Sequence, residues 1–250
     1  MKKFCTIITL LCSAFIASAS GNAEVYLQTD LVSSYLWRGE YCGGVSIQPE
    51  AGVKWNGFHF FVWADTPLCP ADDEAGRHEI DLFLKYSFKP GFTVGLKNVY
   101  INTRGSGFFS YGSIPHAANG LDVMLRYDCR YFGVKWSTTV AGYDGYNHQG
   151  SRAYGSYFMA NAPFSLAWFD WDARIGVVPY YCSRYTDDRS AGFHVNMCAL
   201  RMAHTFRFDT SGISITPSAE LMLNPSSRKT YFAVGASFVF NPSQRVKKDI

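Results

Sequence analysis

Charged side chains occupy alternate positions in several stretches of this 250-residue sequence. Within each stretch they share one parity, and acidic and basic residues are nearly balanced. The positions concerned are Glu50, Glu79, Asp81, Lys85, Lys97, Asp122, Arg126, Asp128, Arg130, Asp170, Asp172, Arg174 and Glu220. If these side chains face one interior, they would either pair and close it or line a water-filled path whose charges select solutes. The sequence leaves both alternatives open.

Apolar residues fill the opposite parity, which indicates that the charges are carried by β-strands. At positions 45–55 the odd residues are apolar, whereas the even residues at 46–54 are polar, charged or glycine. A period of two places the two sets on opposite faces of a strand. Asn56-Gly57 follows directly and is typical of a tight hairpin turn. About twelve such segments occur along the chain, and the first is predicted to cover 30–37.

The N-terminal residues 1–19 have the features of a secretory signal peptide. Lys2 and Lys3 precede an apolar run, and the small residues 17–19 fit a cleavage site, with a later site at position 23 as the alternative. The apolar run is shorter than the roughly 20 residues that a membrane-spanning helix needs. Export from the cytoplasm is therefore predicted.

The composition fits a chain whose apolar residues are dispersed. Hydrophobic residues make up 48% and aromatic residues 17%, yet the mean hydropathy is −0.06. The formal net charge of +3 is too small to indicate a nucleic-acid partner. An odd number of cysteines follows the leader, so they do not form a complete disulfide framework, and their spacing matches no zinc site. One bridge among the loop residues Cys42, Cys69 and Cys182 is left open. No cofactor or metal is predicted.

The predicted connections alternate in length along the chain, with five short turns and six longer, more polar loops. An even number of strands with short turns at one end describes an outer-membrane barrel. Aromatic residues such as Trp55 flank the short turns, and others such as Trp37 and Trp63 lie near the long loops, as in two interfacial girdles. We predict an all-β fold, a single antiparallel transmembrane up-and-down barrel of about twelve strands at 24–240, with a short polar tail at 241–250.

Such a barrel is predicted to lie in the bacterial outer membrane with both termini periplasmic. Its predicted partners are the lipid bilayer, lipopolysaccharide and a small polar solute. A secreted β-sandwich or a soluble periplasmic β-barrel binding protein is the alternative, because its core also needs alternate apolar residues. The alternation alone does not tell which face lies inside.

The first two predicted strands resemble the start of an outer-membrane family catalogued as Gcw_chp. The matching residues are Asp30, Ser33, Tyr35, Arg38, Gly39, Ser46, Gln48 and Pro49. Beyond this first hairpin only the rhythm of strands and turns agrees. The resemblance implies a Gram-negative outer-membrane barrel of about this size, and it brings no catalytic residues.

Arg38 stands apart from the charged rows, since it follows an aromatic strand end and precedes Gly39 at the predicted loop-side rim. At that place it is a candidate contact for an anionic group of a lipid or a solute. Snorkelling of a long cationic side chain at the interface is the more ordinary explanation. Together these features predict a passive narrow channel, or a structural barrel, for a small polar solute.

An outer-membrane lipid-modifying enzyme is an alternative of a different class. His59 and His78, with Asp65 or Glu79, are the residues that could form a dyad of a membrane-rim hydrolase. No Gly-x-Ser-x-Gly elbow and no pair of histidines with metal-ligand spacing is present, so no catalytic residues are predicted. A surface-loop adhesin or scaffold that uses the Gly/Ser/Tyr-rich loop 103–119 is a third alternative.

Overall fold

The computed structural model describes residues 23–68, 77–88, 90–102, 107–112, 117–208 and 210–242. Its strands are β1 (Ala23–Val32), β2 (Tyr35–Trp37), β3 (Glu40–Gly43), β4 (Ser46–Trp55), β5 (Phe58–Pro67), β6 (Glu79–Phe88), β7 (Phe92–Ile101), β8 (Asn119–Asp128), β9 (Gly133–Gly142), β10 (Ser156–Leu166), β11 (Phe169–Val178), β12 (His194–Ala203), β13 (Phe206–Phe208), β14 (Ile213–Asn224) and β15 (Lys229–Phe240). Twelve of them are long; β2 and β3 form a separate hairpin, and β13 continues β12.

The long strands form one closed antiparallel barrel. Each pairs with its neighbour in the chain, and the sheet closes where β1 pairs with β15, with Leu27 opposite Phe240. The all-β, twelve-stranded up-and-down barrel predicted from the sequence is confirmed. Among the described residues, no helix has the length and apolar character needed to cross a membrane.

The barrel has two unlike ends. The turn end carries the five short connections, which follow β4, β6, β8, β10 and β13. The loop end carries the other connections, although the one between β14 and β15 has only four residues, 225–228. Ala23 and Phe240, where the barrel strands begin and end, both lie at the turn end.

Apolar side chains cover the outside of the barrel, and polar side chains line its inside. On β6 the outward Leu84 is 46% exposed, whereas Asp81, of the opposite parity, is 1% exposed. On β8 the outward Leu125 is likewise exposed, and Asp122 is buried. A soluble barrel needs the reverse arrangement, because its outside meets water. This facing suits a hydrocarbon environment and rules out the soluble alternative.

The first strand begins and ends earlier in the chain than predicted. The alternation suggested a strand from 30 to 37, but β1 ends at Val32 and the chain then leaves the barrel wall. As a result Trp37 lies inside the barrel instead of in an outer girdle. Trp63 also points inward, with its ring 5.5 Å from that of Tyr35. The inner parity of these strands thus carries aromatic as well as charged residues.

Arg130 is also misplaced by the sequence prediction, which put it on a lumen-lining strand. β8 ends at Asp128, where the register pairs it with Gly133. The Cys129 amide donates to the Phe132 carbonyl (2.9 Å) and closes the turn, so Arg130 is exposed at the turn end. It does not line the lumen.

The alternation of apolar residues in 192–208 slips near Leu200, which predicts a β-bulge there, but the structure has the bulge four residues earlier, at Asn196. The pairing of β11 with β12 shifts after Gly176, and the extra residue on β12 is Asn196. Bulges re-aim side chains, and this one directs Asn196 into the barrel. The leader at 1–19 and residues 243–250 of the predicted tail lie outside the described residues, and both stay predictions.

Candidate functional site in the barrel lumen

The β2–β3 hairpin folds into the barrel from the loop end. Ser33 still pairs with the wall, since its amide donates to the Val234 carbonyl (2.8 Å) and its hydroxyl accepts from the Val234 amide (2.9 Å). Beyond it the chain turns inward. Arg38 and Gly39 form the two-residue tip with φ of 48° and 89°. Two left-handed residues are what a type I′ hairpin turn requires.

Two buried asparagines hold the hairpin tip. The amide of Asn196 donates to the carbonyl of Arg38 (2.8 Å), and that of Asn224 donates to the carbonyl of Gly39 (3.1 Å) and to Oε1 of Glu40 (2.7 Å). A Cβ at Gly39 would lie 1.8 Å from the Asn196 carbonyl oxygen, so only glycine fits there. The tip therefore lies directly against the inner wall formed by β12 and β14.

The Arg38 side chain lies in the lumen, not at the exposed rim where the sequence placed it. Its guanidinium donates to the hydroxyls of Tyr185 and of Ser137 (2.7 Å) and lies 3.7 Å from Oδ2 of Asp122. Burial raises the pKa of Tyr185, so this hydroxyl stays neutral and can accept the bond. The rings of Trp37 and Tyr157 lie 4.4 and 4.7 Å from the guanidinium carbon. Binding of a separate anion by Arg38 stays a prediction.

Asp122 receives a second arginine from the long loop after β11. Arg184 Nη1 lies 3.8 Å from Oδ1 of Asp122 and donates to the Thr139 hydroxyl (2.9 Å), which in turn donates to Asp122 (2.7 Å). A carboxylate that is 1% exposed thus faces two guanidinium groups. This group fastens the hairpin and the Arg184 loop to one point of the wall.

Replacement of Asp122 by asparagine is expected to lower the free energy of unfolding by about 3–5 kcal/mol, because it leaves two buried guanidinium groups without their carboxylate. The urea midpoint of heat-modifiable gel migration in lipid vesicles measures this loss. Asp128→Asn on the same strand is the matched control. Its ion pair with Arg126 is exposed (43% and 42%), so a loss of only about 0–1 kcal/mol is expected. Equal losses would contradict the bridging role of Asp122.

A further ion-pair group ties the base of the hairpin to the wall. Arg77 lies 3.0 Å from Glu79 Oε2 and 3.8 Å from Asp65 Oδ2, and it donates to the Cys42 carbonyl (3.3 Å). The Tyr35 hydroxyl reaches the same Glu79 oxygen at 3.5 Å. Base and tip of the hairpin are therefore both held by polar contacts.

The remaining predicted lumen residues occupy the inward parity of their strands, with Arg130 as the exception. Lys97 pairs with Asp81 at 2.6 Å, and Arg174 reaches Glu220 on the non-adjacent strand β14 at 2.6 Å, which requires a concave interior surface. Asp170 is exposed at the turn-end mouth. Further inward contacts are Arg126 with Asp128, Arg174 with Asp172, Tyr26 with Glu50, and Lys85 over the Phe61 ring.

Space remains beside the hairpin. A cavity of about 430 Å³ extends along β1, β11, β14 and β15, where Gln28 and Glu220 line it. A second of about 310 Å³ lies toward β5–β9, with Glu50 and Lys97 in its wall. Tyr35, Leu36 and Arg174 border both. The hairpin thus narrows the lumen without filling it.

Several residues of this site were not found from the sequence. Asn196, Asn224, Ser137 and Thr139 sit on strands whose alternation marks them only as inward, and Arg184 lies in a loop with no motif. They are recognisable only once the hairpin is seen inside the barrel. The irregular alternation of 192–208 was the one available signal, and it concerns only Asn196.

The dyad considered for an enzyme does not form. His59 lies opposite Lys85 toward the turn end, whereas His78 lies just before β6 at the loop end. His59 instead contacts the Tyr26 hydroxyl (2.8 Å), which donates to Glu50 (2.5 Å). Within the described ranges, no group of three or more His, Cys, Asp or Glu residues could hold a metal ion.

No protein-family model matches the sequence, and no curated protein gives a significant match. Among solved structures the chain is similar to the KdgM porin (10% identity, 86% of this chain, 98% of that chain, TM-score 0.43). It is also similar to the NanC porin (12% identity, 86% of this chain, 97% of that chain, TM-score 0.45). A third similar structure is an outer membrane channel from Pseudomonas putida F1 (10% identity, 88% of this chain, 94% of that chain, TM-score 0.36). At such identities and TM-scores no function passes from those proteins to this chain.

Proposed function

We propose that the protein is a passive outer-membrane channel for a small polar solute, in which the β2–β3 hairpin forms the constriction. The observation that carries the proposal is a polar lumen with two adjoining cavities beside the hairpin, inside a barrel whose outer surface is apolar. Twelve strands enclose more space than the eight-stranded barrels that side chains fill.

The same proposal covers location and orientation. Residues 1–19 are removed on export, and the turn end faces the periplasm, because outer-membrane barrels keep their short turns and both termini there. The loop end then meets lipopolysaccharide in the outer leaflet. The motif between Asp30 and Pro49 that resembles the Gcw_chp family agrees with this location, and membership of that family is part of the proposal.

A closed structural barrel is the second candidate, favoured by the polar contacts that hold the hairpin at Arg38 and Arg77. An enzyme is not favoured, since the candidate histidines lie apart. Catalytic activity against lipid is therefore not part of the proposal.

Planar-bilayer recording of the detergent-refolded protein tests the channel, after heat-modifiable gel migration has established that the barrel is folded. Discrete conductance steps with a reproducible reversal potential are expected. A heat-modifiable but silent protein would favour the structural barrel. Absence of a heat shift would contradict the membrane barrel itself.

A further inference from the structure

One wall of the lumen carries basic side chains from three of the four consecutive strands β6 to β9. They are Lys85 on β6, Arg126 on β8 and Lys135 on β9, and Arg126 stands directly opposite Lys135 in the strand register. Like charges directly opposite one another destabilise a sheet. Such local conflicts in an otherwise consistent fold concentrate at functional sites. The presence of these like charges on one wall is therefore not explained by stability.

Backbone space lets Lys85 lie across this wall. Its cross-strand partner on β7 is Gly95, where a Cβ would stand 3.0 Å from Lys85 Cγ and 3.0 Å from Met124 Cγ. Because Gly95 has no side chain, the methylene groups of Lys85 can pack directly against the sheet. The ammonium group lies over the rings of Phe61 on β5 and Phe83 on β6.

Carboxylates neutralise only part of this wall. Arg126 has Asp128 at 2.5 Å and the nearby Lys97 has Asp81 at 2.6 Å. In the part of the chain that the structure describes, no carboxylate oxygen lies within 4.0 Å of the ammonium of Lys85 or Lys135. The Glu50 carboxylate on the neighbouring part of the lumen is already engaged by the Tyr26 hydroxyl.

Two aromatic rings lie beside the unpaired ammonium group of Lys85. Phe61 and Phe83 stack with centroids 4.2 Å apart, and the Lys85 ammonium lies 4.5 and 5.1 Å from their centroids. The face of an aromatic ring attracts and stabilises a cation, but it does not neutralise the charge. Both rings, together with Lys97 and Lys135, line the cavity of about 310 Å³. Lys135 and the two rings therefore border the same cavity, and the Lys85 ammonium lies beside those rings.

We propose that this cavity is a subsite for a small organic anion, with its carboxylate or phosphate group at Lys135, its apolar part against Phe61 and Phe83, and the positive charge of Lys85 beside those rings. The proposal rests on the proposed channel function and gives its solute class. The Lys135 ammonium, which has no carboxylate partner, supplies a charge-assisted hydrogen bond to the oxyanion. The rings select an anion with an apolar face over a bare inorganic ion.

The first test is the reversal potential in a KCl gradient across a planar bilayer. Wild-type channels are expected to prefer chloride, and Lys85→Glu with Lys135→Glu is expected to reverse that preference. Arg130→Glu, which makes the same charge change on the exposed turn, is the control and should leave the potential unchanged. Conductance that persists with no ion preference, or with a preference that the double variant does not alter, would overturn the subsite while leaving the channel intact.

The second test does not need conductance, so a silent barrel still gives an answer. Titration calorimetry of the folded protein with benzoate and with inorganic phosphate measures binding directly. Benzoate is expected to bind more tightly than phosphate, and Lys135→Met is expected to weaken it about tenfold or more. Lys135→Met should not lower the urea midpoint, because it removes a charge that faces Arg126. Equal benzoate binding by wild type and variant, or no benzoate binding by either, would refute the proposal.

Discussion

Removal of the inward hairpin is expected to raise the single-channel conductance at least about threefold, because the segment occupies lumen that twelve strands would otherwise leave open to water. The variant replaces residues 34–44 by Asn-Gly, which joins Ser33 to Val45 by a tight turn. Val32 and Ser46 are already cross-strand partners, so the barrel wall keeps its register. Planar-bilayer conductance in the same salt measures the effect.

Deletion of residues 148–150 is the matched control for this prediction. These residues form the exposed tip of another loop at the same end of the barrel. Their loss shortens a loop without opening the lumen, so wild-type conductance is expected. If the hairpin variant folds, shown by its heat shift, and conducts no better than this control, the hairpin is not the constriction.

Arginine in place of Leu96 is expected to cost about 2–4 kcal/mol and to prevent stable insertion, because a charge near the bilayer midplane has no water to solvate it. Leu96 lies in the middle of β7, is 43% exposed on the outer surface, and stands opposite the equally outward Leu84. The fraction of heat-modifiable protein after refolding into lipid vesicles measures the loss.

The neighbouring residue provides the control on the same strand. Lys97 points inward and pairs with Asp81, so Lys97→Arg introduces the same side chain at the same depth with little expected effect. A Leu96→Arg variant that inserts as well as Lys97→Arg would mean that the outer face of β7 does not meet lipid.

The barrel itself could be predicted from the sequence because its determinants are local. Alternation at 45–55 reports which side chains share a face, and Asn56-Gly57 reports a turn. Neither signal depends on distant residues. The facing was the remaining ambiguity, and it is settled by burial of residues such as Asp122.

The hairpin could not be predicted in the same way. The alternation of side chains continues without a break past Val32, where the chain leaves the barrel wall. The residues at alternate positions are Leu31, Ser33, Tyr35 and Trp37. What turns the chain inward is a set of partners far away in the sequence. The Asn196 amide that holds the tip, for example, is 158 residues from Arg38.

The distribution of these partners also orders the steps by which the protein assembles. Asp122, Asn196 and Asn224 belong to β8, β12 and β14, which surround the tip in the barrel that the β1–β15 seam closes. We infer that the hairpin docks last and remains open to proteases until then. The time at which the Arg38 peptide bond becomes resistant to trypsin during refolding would therefore report when the seam has closed.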